Sequence, residues 1–362
     1  MKLLIKTFGL LIFLVVGKIT FGQTNEQKAF EISHQGFKLE DEGKFEEAIK
    51  IFEEAQKIDP NRLGYPYEIG YCYFALKEYK KTIITLEKLT EHKSVEDVVY
   101  QLLGNSYDNM GNPDKAIEIY EAGLKKFPNS GSLYLEMGVM QKGKNDINKE
   151  LSYYEKGIEV APNFPSNYYW ASKIFCNTTE EVWGMLYGEI FMNLERNTKR
   201  TNEISKLLFD TYKSEIHFTS DTSYSVSFSK NANIDINSLK DPKNFKLPFG
   251  MGCYEMVLML AVLGEKQIEI NSLDRIRTRF LERYVAGDDF KKYPNILFDY
   301  QQKVKTAGHF EAYNHWILMK GDEDGFDKWL TLNKEKWDNF VKWFTDNKME
   351  LDNTHKFYRE QY

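Results

Sequence analysis

Residues 97–130 read DVVYQLLGNSYDNMGNPDKAIEIYEAGLKKFPNS, and this 34-residue stretch decides the fold. Its landmarks recur at the same interval on both sides. Gly36, Gly70, Gly104 and Gly138 fall on the period without a slip, and Ser172 continues it with another small residue. Three residues after each come Leu39, Tyr73, Tyr107, Gln141 and Phe175. Phe52, Leu86, Tyr120 and Tyr154 make a third column. Ala48, Thr82 and Ala116 make a fourth, and Pro60, Pro128 and Pro162 fall late in their units.

Glycine inside a helix costs about 1 kcal/mol relative to alanine, so its recurrence requires close approach of a second helix. The prolines separate units, because proline cannot continue a hydrogen-bonded helix. DEGKFEEA (41–48) and NMGNPDKA (109–116) read as turns between paired helices, with Pro113 at a helix start where its missing amide is harmless. In these columns the sequence resembles the tetratricopeptide repeat, a unit of two antiparallel helices. Five units are expected, at 29–62, 63–96, 97–130, 131–164 and 165–198. The second is degraded near Lys80–Leu89, the fourth lacks an aromatic at Gln141, and the fifth is the weakest, as a terminal cap would be. The expected class is all-α: a tetratricopeptide helical-hairpin solenoid over 23–198, then a mainly helical C-terminal domain.

The resemblance implies a concave surface lined by the first helix of each unit, the surface on which the family takes peptides or helices. By register it would include Ser33, Phe37, Tyr67, Tyr71, Gln101, Asn105, Asp108, Leu135, Val139, Tyr169 and Lys173. Phe37, Tyr67, Tyr71, Gln101, Asn105, Tyr169 and Lys173 are the candidate binding residues: aromatic plates beside amide donors. Tyr67 and Tyr71, like Gln101 and Asn105, are four apart and share a helical face. The competing reading packs the tyrosines against neighbouring helices and leaves the amides in water. Asn105 and Lys173 do not make up the clamp with which some family members hold a terminal carboxylate.

The chain of 362 residues is 42% hydrophobic and 28% charged, as a folded globular protein is. Its formal charge of −6 argues against a nucleic-acid partner. The first 22 residues have the order of a secretory signal peptide: Lys2 and Lys6, an apolar run over Leu10–Val16, then Gly22 before Gln23. Cleavage there would export the chain to the periplasm or beyond the cell and leave no transmembrane anchor. Three cysteines, Cys72, Cys176 and Cys253, cannot all pair within one chain, and their apolar settings suit buried free thiols.

Beyond the repeats, 199–248 reads as a linker or irregular segment. A helix is suggested over Glu203–Ile216, and Tyr224, Val226 and Phe228 alternate as in a strand. Residues 249–362 read as helical. Cys253–Leu263 looks like a buried core helix, and Leu273–Val285 carries Arg275, Arg277, Arg279 and Arg283 on a solvated face interleaved with acids. GDEDGFDKW (321–329) and NKEKWDNFVKWF (333–344) resemble tails of tetratricopeptide proteins exported by Bacteroidetes-type bacteria.

A partner protein or peptide is expected, with no cofactor, metal or catalysis. Cys253 with His315 is the best pair for a cysteine hydrolase, the thiol opening a helix and Asn314 or Asp322 orienting the ring, but the oxyanion-hole glutamine of papain-like enzymes is missing. A further alternative is a structural subunit of an envelope assembly. His309, Glu311 and His315 lack the spacing of a zinc site, and Asp322, Asp324 and Asp327 lack that of a calcium loop.

Overall fold

A computed structural model describes residues 24–220, 223–230, 247–287 and 289–362. The signal-peptide reading of 1–22 and residues 231–246 of the expected linker fall outside the described residues. The chain divides into two compact units, one ending at Val95 and one beginning at Glu96.

The first unit holds two helical hairpins, α1 (Asn25–Asp41) with α2 (Phe45–Ile58) and α3 (Gly64–Ala75) with α4 (Tyr79–Glu87). Thr24 caps α1 through a capping box with Gln27. The core is Ala29, Ala48, Ile49, Phe52, Ala55, Tyr65, Ile69 and Cys72. The second unit contains α5 (Asp97–Asn109), α6 (Pro113–Lys126), α7 (Gly131–Lys142), α8 (Ile147–Val160), α9 (Pro165–Phe175) and α10 (Glu181–Leu194).

The glycine column does what its spacing requires. A Cβ on Gly36 or Gly70 would stand 2.7 Å from the side chain of Phe52 or Leu86, and one on Gly104 or Gly138 would collide with Tyr120 or Tyr154. Each bulky residue of the second helix therefore sits on the bare backbone of the first. The turns share one conformation as well. Gly43, Lys77, Gly111 and Asn145, one period apart, all have positive φ (73°, 61°, 77° and 57°). Lysine takes this left-handed region only at a cost, which gives a local reason for the degraded second unit. Its second helix, α4, is nine residues long where α2, α6 and α8 each have 14.

The fifth hairpin departs from the others. Its glycine column holds Ser172, and its bulky column holds Gly188, so at this level the small side chain of Ser172 faces bare backbone in place of a ring. Ser172 Oγ donates to Gly184 O at 2.7 Å. Every residue of α10 from Glu181 to Asn193 is buried. A helix buried on every face lies in the middle of a core, and EVWGMLYGEIFMNL is such a helix, largely apolar but carrying Glu181, Glu189 and Asn193. The fifth unit is thus no exposed cap. Its core runs without a break from Leu151 and Tyr154 through α10 to Phe357.

Part of the stretch expected to be a linker is ordered for the same reason. Helix α11 (Lys199–Glu215) buries Ile204, Leu208, Phe209 and Tyr212. Strands β1 (Ile216–Ser220) and β2 (Ser223–Val226) follow as an antiparallel hairpin, with Ile216 opposite Val226. A π-helical turn, Gly250–Glu255, then runs into α12 (Met256–Val262). Helices α13 (Ile270–Ala286), α14 (Asp289–Lys292), α15 (Ile296–Thr306), α16 (Phe310–Leu318), α17 (Glu323–Leu332) and α18 (Lys334–Asp346) complete the fold. Gly308, at φ 80°, breaks the chain between α15 and α16.

Two expectations for this region need correction. The segment Cys253–Leu263 is not buried all round. Val257, Leu258, Ala261 and Val262 face in, whereas Met256, Met259, Leu260 and Leu263 are exposed. Arg277 is not on a solvated face. It is buried, because its partner Glu189 projects from the fully buried α10. Arg275 and Arg279 do follow the expected pattern, both pairing with Glu265.

The chain after α18 returns to the repeats. Asn163 Nδ2 donates to Leu351 O at 2.5 Å, and Lys356 Nζ donates to Glu159 O at 2.8 Å. Arg359 forks onto Glu155 at 2.8 and 2.6 Å. Phe357 is buried between the rings of Trp183, Tyr187 and Tyr362. Aromatic pairs of this kind add about 0.5–1.5 kcal/mol beyond area burial.

Candidate functional site

In the first unit the first helices of both hairpins carry the candidate residues. Phe37 of α1 and Tyr71 of α3 are 37% and 41% exposed, as is Phe30 of α1 at 42%. Phe37 makes an edge contact with Phe52, and Tyr67 is half-buried. Ser33 is buried and donates to Phe30 O at 2.7 Å, so it does not belong to an open surface.

Two carboxyls that sequence reasoning missed lie on the same helices. Glu40 follows Phe37 by three residues, and Glu68 precedes Tyr71 by three, the spacing that places side chains together on a helix. Cys72 Sγ donates to Glu40 Oε1 at 3.0 Å, which brings the end of α1 to α3. Burial raises the Glu68 carboxyl to about 7, and the Glu40 carboxyl adds to the shift. Burial also raises Glu40.

In the second unit Gln101 and Asn105 are not free amides facing water. Gln101 Nε2 donates to Glu136 Oε1 at 2.8 Å, and Asn105 Nδ2 donates to the same oxygen at 3.4 Å. Asn105 Oδ1 in turn accepts from the Tyr120 hydroxyl. The amides are thus spent on Glu136 of α7, and the surface presents a carboxyl group where amide donors were expected. Burial raises Glu136, the two amides oppose the rise, and Asp108 adds to it.

Tyr169 and Lys173 come together at Glu203. The Tyr169 hydroxyl donates to Glu203, and Lys173 Nζ stands 3.3 Å from the same carboxylate and 3.1 Å from the Tyr169 hydroxyl. Tyr169 is buried, and only the lysine is half-exposed. Lys173 Nζ also lies 4.9 and 5.3 Å from the Tyr169 and Trp170 ring centres. Lys142 Nζ stands 4.3 Å over the Trp170 ring. Leu135 and Val139 of α7 are both half-buried.

The thiol–imidazole reading loses its geometry. Cys253 lies within the π turn, fully buried, and burial pushes its thiol up, the opposite of an activated nucleophile. His315 Nδ1 is 2.8 Å from Glu311 O, and Nε2 is 3.1 Å from Asn271 Oδ1. Asn271, and neither Asn314 nor Asp322, meets the imidazole. The ring stacks on Trp329 at 4.0 Å. Asp322 caps α17 by accepting from Gly325 N at 3.0 Å. Cys72, Cys176 and Cys253 are all free thiols.

A dense polar cluster centred on Glu189 is structural. Glu189 receives Arg277 at 2.8 and 2.7 Å, Gln301 at 2.6 Å and Tyr313 at 2.9 Å. Beside it is a cavity of about 20 Å³ bounded in part by Tyr212, Tyr254 and Gln301, room for one water. No helix among the described residues is long and apolar enough to cross a membrane.

Comparison with known proteins agrees with the repeat geometry. Two family models of the tetratricopeptide repeat match residues 97–140 and 39–62, and the chain carries tetratricopeptide repeats. The BBSome complex member BBS4 of Bos taurus is 31% identical over 118 residues, 31% of this chain and 22% of that protein. The Hsp70-Hsp90 organising protein of Plasmodium falciparum is 28% identical over 145 residues, 38% of this chain and 25% of that protein. The chain spans about a fifth of the length of the first curated relatives it matches. Among solved structures, a thermophilic tetratricopeptide protein of Thermus thermophilus gives a TM-score of 0.42 at 12% identity, covering 50% of this chain and 98% of that one. Pseudomonas aeruginosa pilF gives 0.43 at 15% identity, covering 53% and 86%.

Proposed function

We propose that this chain is a non-enzymatic scaffold that binds a protein or peptide along the first helices of its repeats, in the cell envelope or outside the cell. One observation carries the reading: Phe37 and Tyr71 stand exposed on the first helices of consecutive hairpins. Exposed rings beside polar groups are what a protein-binding surface offers. The repeat family supports it as a class that works by binding. The basic and apolar order of residues 2–16 supports export.

Two measurements test this. Partner capture from the envelope fraction is compared between the wild-type chain and a Phe37→Ser/Tyr71→Ser variant. Loss of a partner in the variant is expected, and unchanged retention sinks groove binding. N-terminal sequencing of the protein from its host is expected to begin at Gln23, and a chain starting at Met1 in the cytoplasm sinks the export reading.

A structural subunit is the second reading, and α12 favours it. Met256, Met259, Leu260 and Leu263 recur at three and four residues and are 44–55% exposed. Such a stripe suits burial against another helix. Sedimentation of the wild type against Met259→Glu/Leu260→Glu tests it, since an unchanged monomer in both excludes self-assembly through this face.

A further inference from the structure

We propose that the second-helix side of the fourth and fifth hairpins, α8 and α10, is a peptide-binding seat. Its ligand is a partner segment with an aromatic residue and an arginine two positions on, which takes the place that the chain's own Phe357 and Arg359 hold in this structure. The seat is separate from the first-helix face proposed above, and either surface can bind without the other.

The receptor is part of the repeat. Glu53, Glu87, Glu121, Glu155 and Glu189 recur one period apart, each directly after the position of the bulky column. Two of them are gripped by arginines from beyond the repeats, Glu189 by Arg277 of α13 and Glu155 by Arg359. Tyr187 of α10 prepares the second seat. Its hydroxyl donates to Glu155 Oε1 at 3.1 Å and accepts from Arg359 N at 2.9 Å. The Arg359 guanidinium also lies 5.5 Å from the centre of the Phe175 ring. A fork of two N–H···O bonds on one carboxylate, over an aromatic ring, selects arginine by shape as well as charge, and lysine cannot reproduce it. Two residues earlier, Phe357 enters the recess between Trp183 and Tyr187. A buried aromatic anchor beside an arginine is the composition that dominates binding between proteins.

The two arginines differ in how they are delivered. Arg277 is 6% exposed and fixed in the middle of a helix, whereas the Arg359 side chain is 43% exposed. Residues 347–358 form neither helix nor strand, and Asp352 to His355 are exposed. Leu351 O, the Lys356 ammonium and Arg359 N meet Asn163, Glu159 O and Tyr187, each bond using a side chain on one partner. A segment fastened by side-chain anchors in this way is held as a docked peptide is. Its seat is also larger than the segment. A cavity of about 450 Å³ runs beside it, walled in part by Leu151, Glu159, Phe175, Thr178, Tyr358 and Arg359. That volume has room for side chains that the chain's own end does not supply.

The test uses the full chain in two variants whose own end is repelled from the seat, Arg359→Glu and Glu155→Arg. Two labelled peptides of residues 351–362 are titrated into each, one wild type and one carrying Arg359→Glu, and fluorescence anisotropy reads the binding. The wild-type peptide is expected on the Arg359→Glu chain and the Arg359→Glu peptide on the Glu155→Arg chain, each at least about ten-fold tighter than the crossed pairs. The wild-type chain should bind the wild-type peptide more weakly than the Arg359→Glu chain does, because its seat is taken. A Phe357→Ala peptide should lose most of its affinity. Arg359 is half-exposed, so the Arg359→Glu chain should keep its fold, which circular dichroism checks, and it decides alone if the Glu155→Arg chain does not fold. Equal binding of the two peptides to the Arg359→Glu chain, or no binding of either, overturns the inference. So does full affinity in the Phe357→Ala peptide. Adding Phe37→Ser/Tyr71→Ser to the Arg359→Glu chain should change nothing. If that addition abolishes binding, the peptide sits on the first helices, and this seat falls while the first-helix reading stands.

Discussion

Arg277 grips Glu189 through two hydrogen bonds of 2.8 and 2.7 Å in a pair whose side chains are only 6% and 5% exposed. Burial by itself would lower the guanidinium, but the Glu189 charge and the surrounding phenols hold it well above its ordinary value. Such a pair contributes little net stability, because desolvation of both ions offsets their attraction. Breaking it is another matter. Arg277→Leu leaves Glu189 buried without its counter-ion and should cost about 3–5 kcal/mol in urea unfolding. Arg277→Leu/Glu189→Leu should recover a large part of that loss. A double variant as unstable as the single one would mean that the polar network as a whole is required.

Gly104 should not tolerate a methyl group. Alanine gains about 1 kcal/mol over glycine in a helix interior. Here its Cβ would enter the ring of Tyr120, whose hydroxyl is tied to Asn105. Overpacking costs about 1–3 kcal/mol and outweighs the propensity gain. Gly104→Ala should therefore lower the urea midpoint, and Gly104→Ala/Tyr120→Leu should restore part of it.

Lys77 offers the reverse case. It holds φ 61° where Gly43 and Gly111 occupy the equivalent turns. Lys77→Gly removes a left-handed penalty of about 1–2 kcal/mol and adds about 0.5–1 kcal/mol of unfolded-state entropy. A net gain of up to about 1 kcal/mol should appear as a raised melting temperature. Gly111→Lys should lose a similar amount.

Asp274 makes stability depend on pH. Burial raises its carboxyl to about 6, while Asn314 and the nearby Arg277 and Arg275 oppose the rise and Glu311 adds to it. The folded state thus holds this proton more tightly than the unfolded chain does. The stabilisation is fully present below the unfolded value near 4 and is lost as pH rises through about 6. By about pH 8 the loss is at most about 3 kcal/mol. Asp274→Asn should flatten this component, so that the variant gains on the wild type between about pH 4 and 8. A constant difference across that range would show that Asp274 is not desolvated.

Phe357 should anchor the C-terminal segment. It is fully buried, with ring contacts to Trp183 and Tyr187 at 6.2 and 5.6 Å. Phe357→Ala should cost about 3–5 kcal/mol. It should also expose the amides around Lys356 and Arg359 to rapid hydrogen exchange. Unchanged protection there would show that the Arg359–Glu155 fork suffices.

The sequence by itself determined the hairpins, because their rules are local and periodic. A glycine column repeats only if a bulky column repeats against it, and Gly36 with Phe52 or Gly70 with Leu86 can be paired by counting. Positive φ at residues 43 and 111 is visible as glycine, whereas at Lys77 and Asn145 the same conformation leaves no such mark. Tertiary structure alone decided the fate of Gln101 and Asn105, since their partner Glu136 comes from the next hairpin and an amide reads alike whether it faces water or a carboxyl. The place of α10 was half-visible in EVWGMLYGEIFMNL, mostly apolar round its circumference, but what would cover it and pair with Glu189 was not. Arg277 lies beyond counting of any kind. Its neighbours Arg275 and Arg279 meet Glu265, and only the tertiary fold, which brings Glu189 of the buried α10 within reach, turns the arginine between them inward. Interactions set by spacing along one helix pair are written in the period; those made where distant helices meet depend on the whole fold.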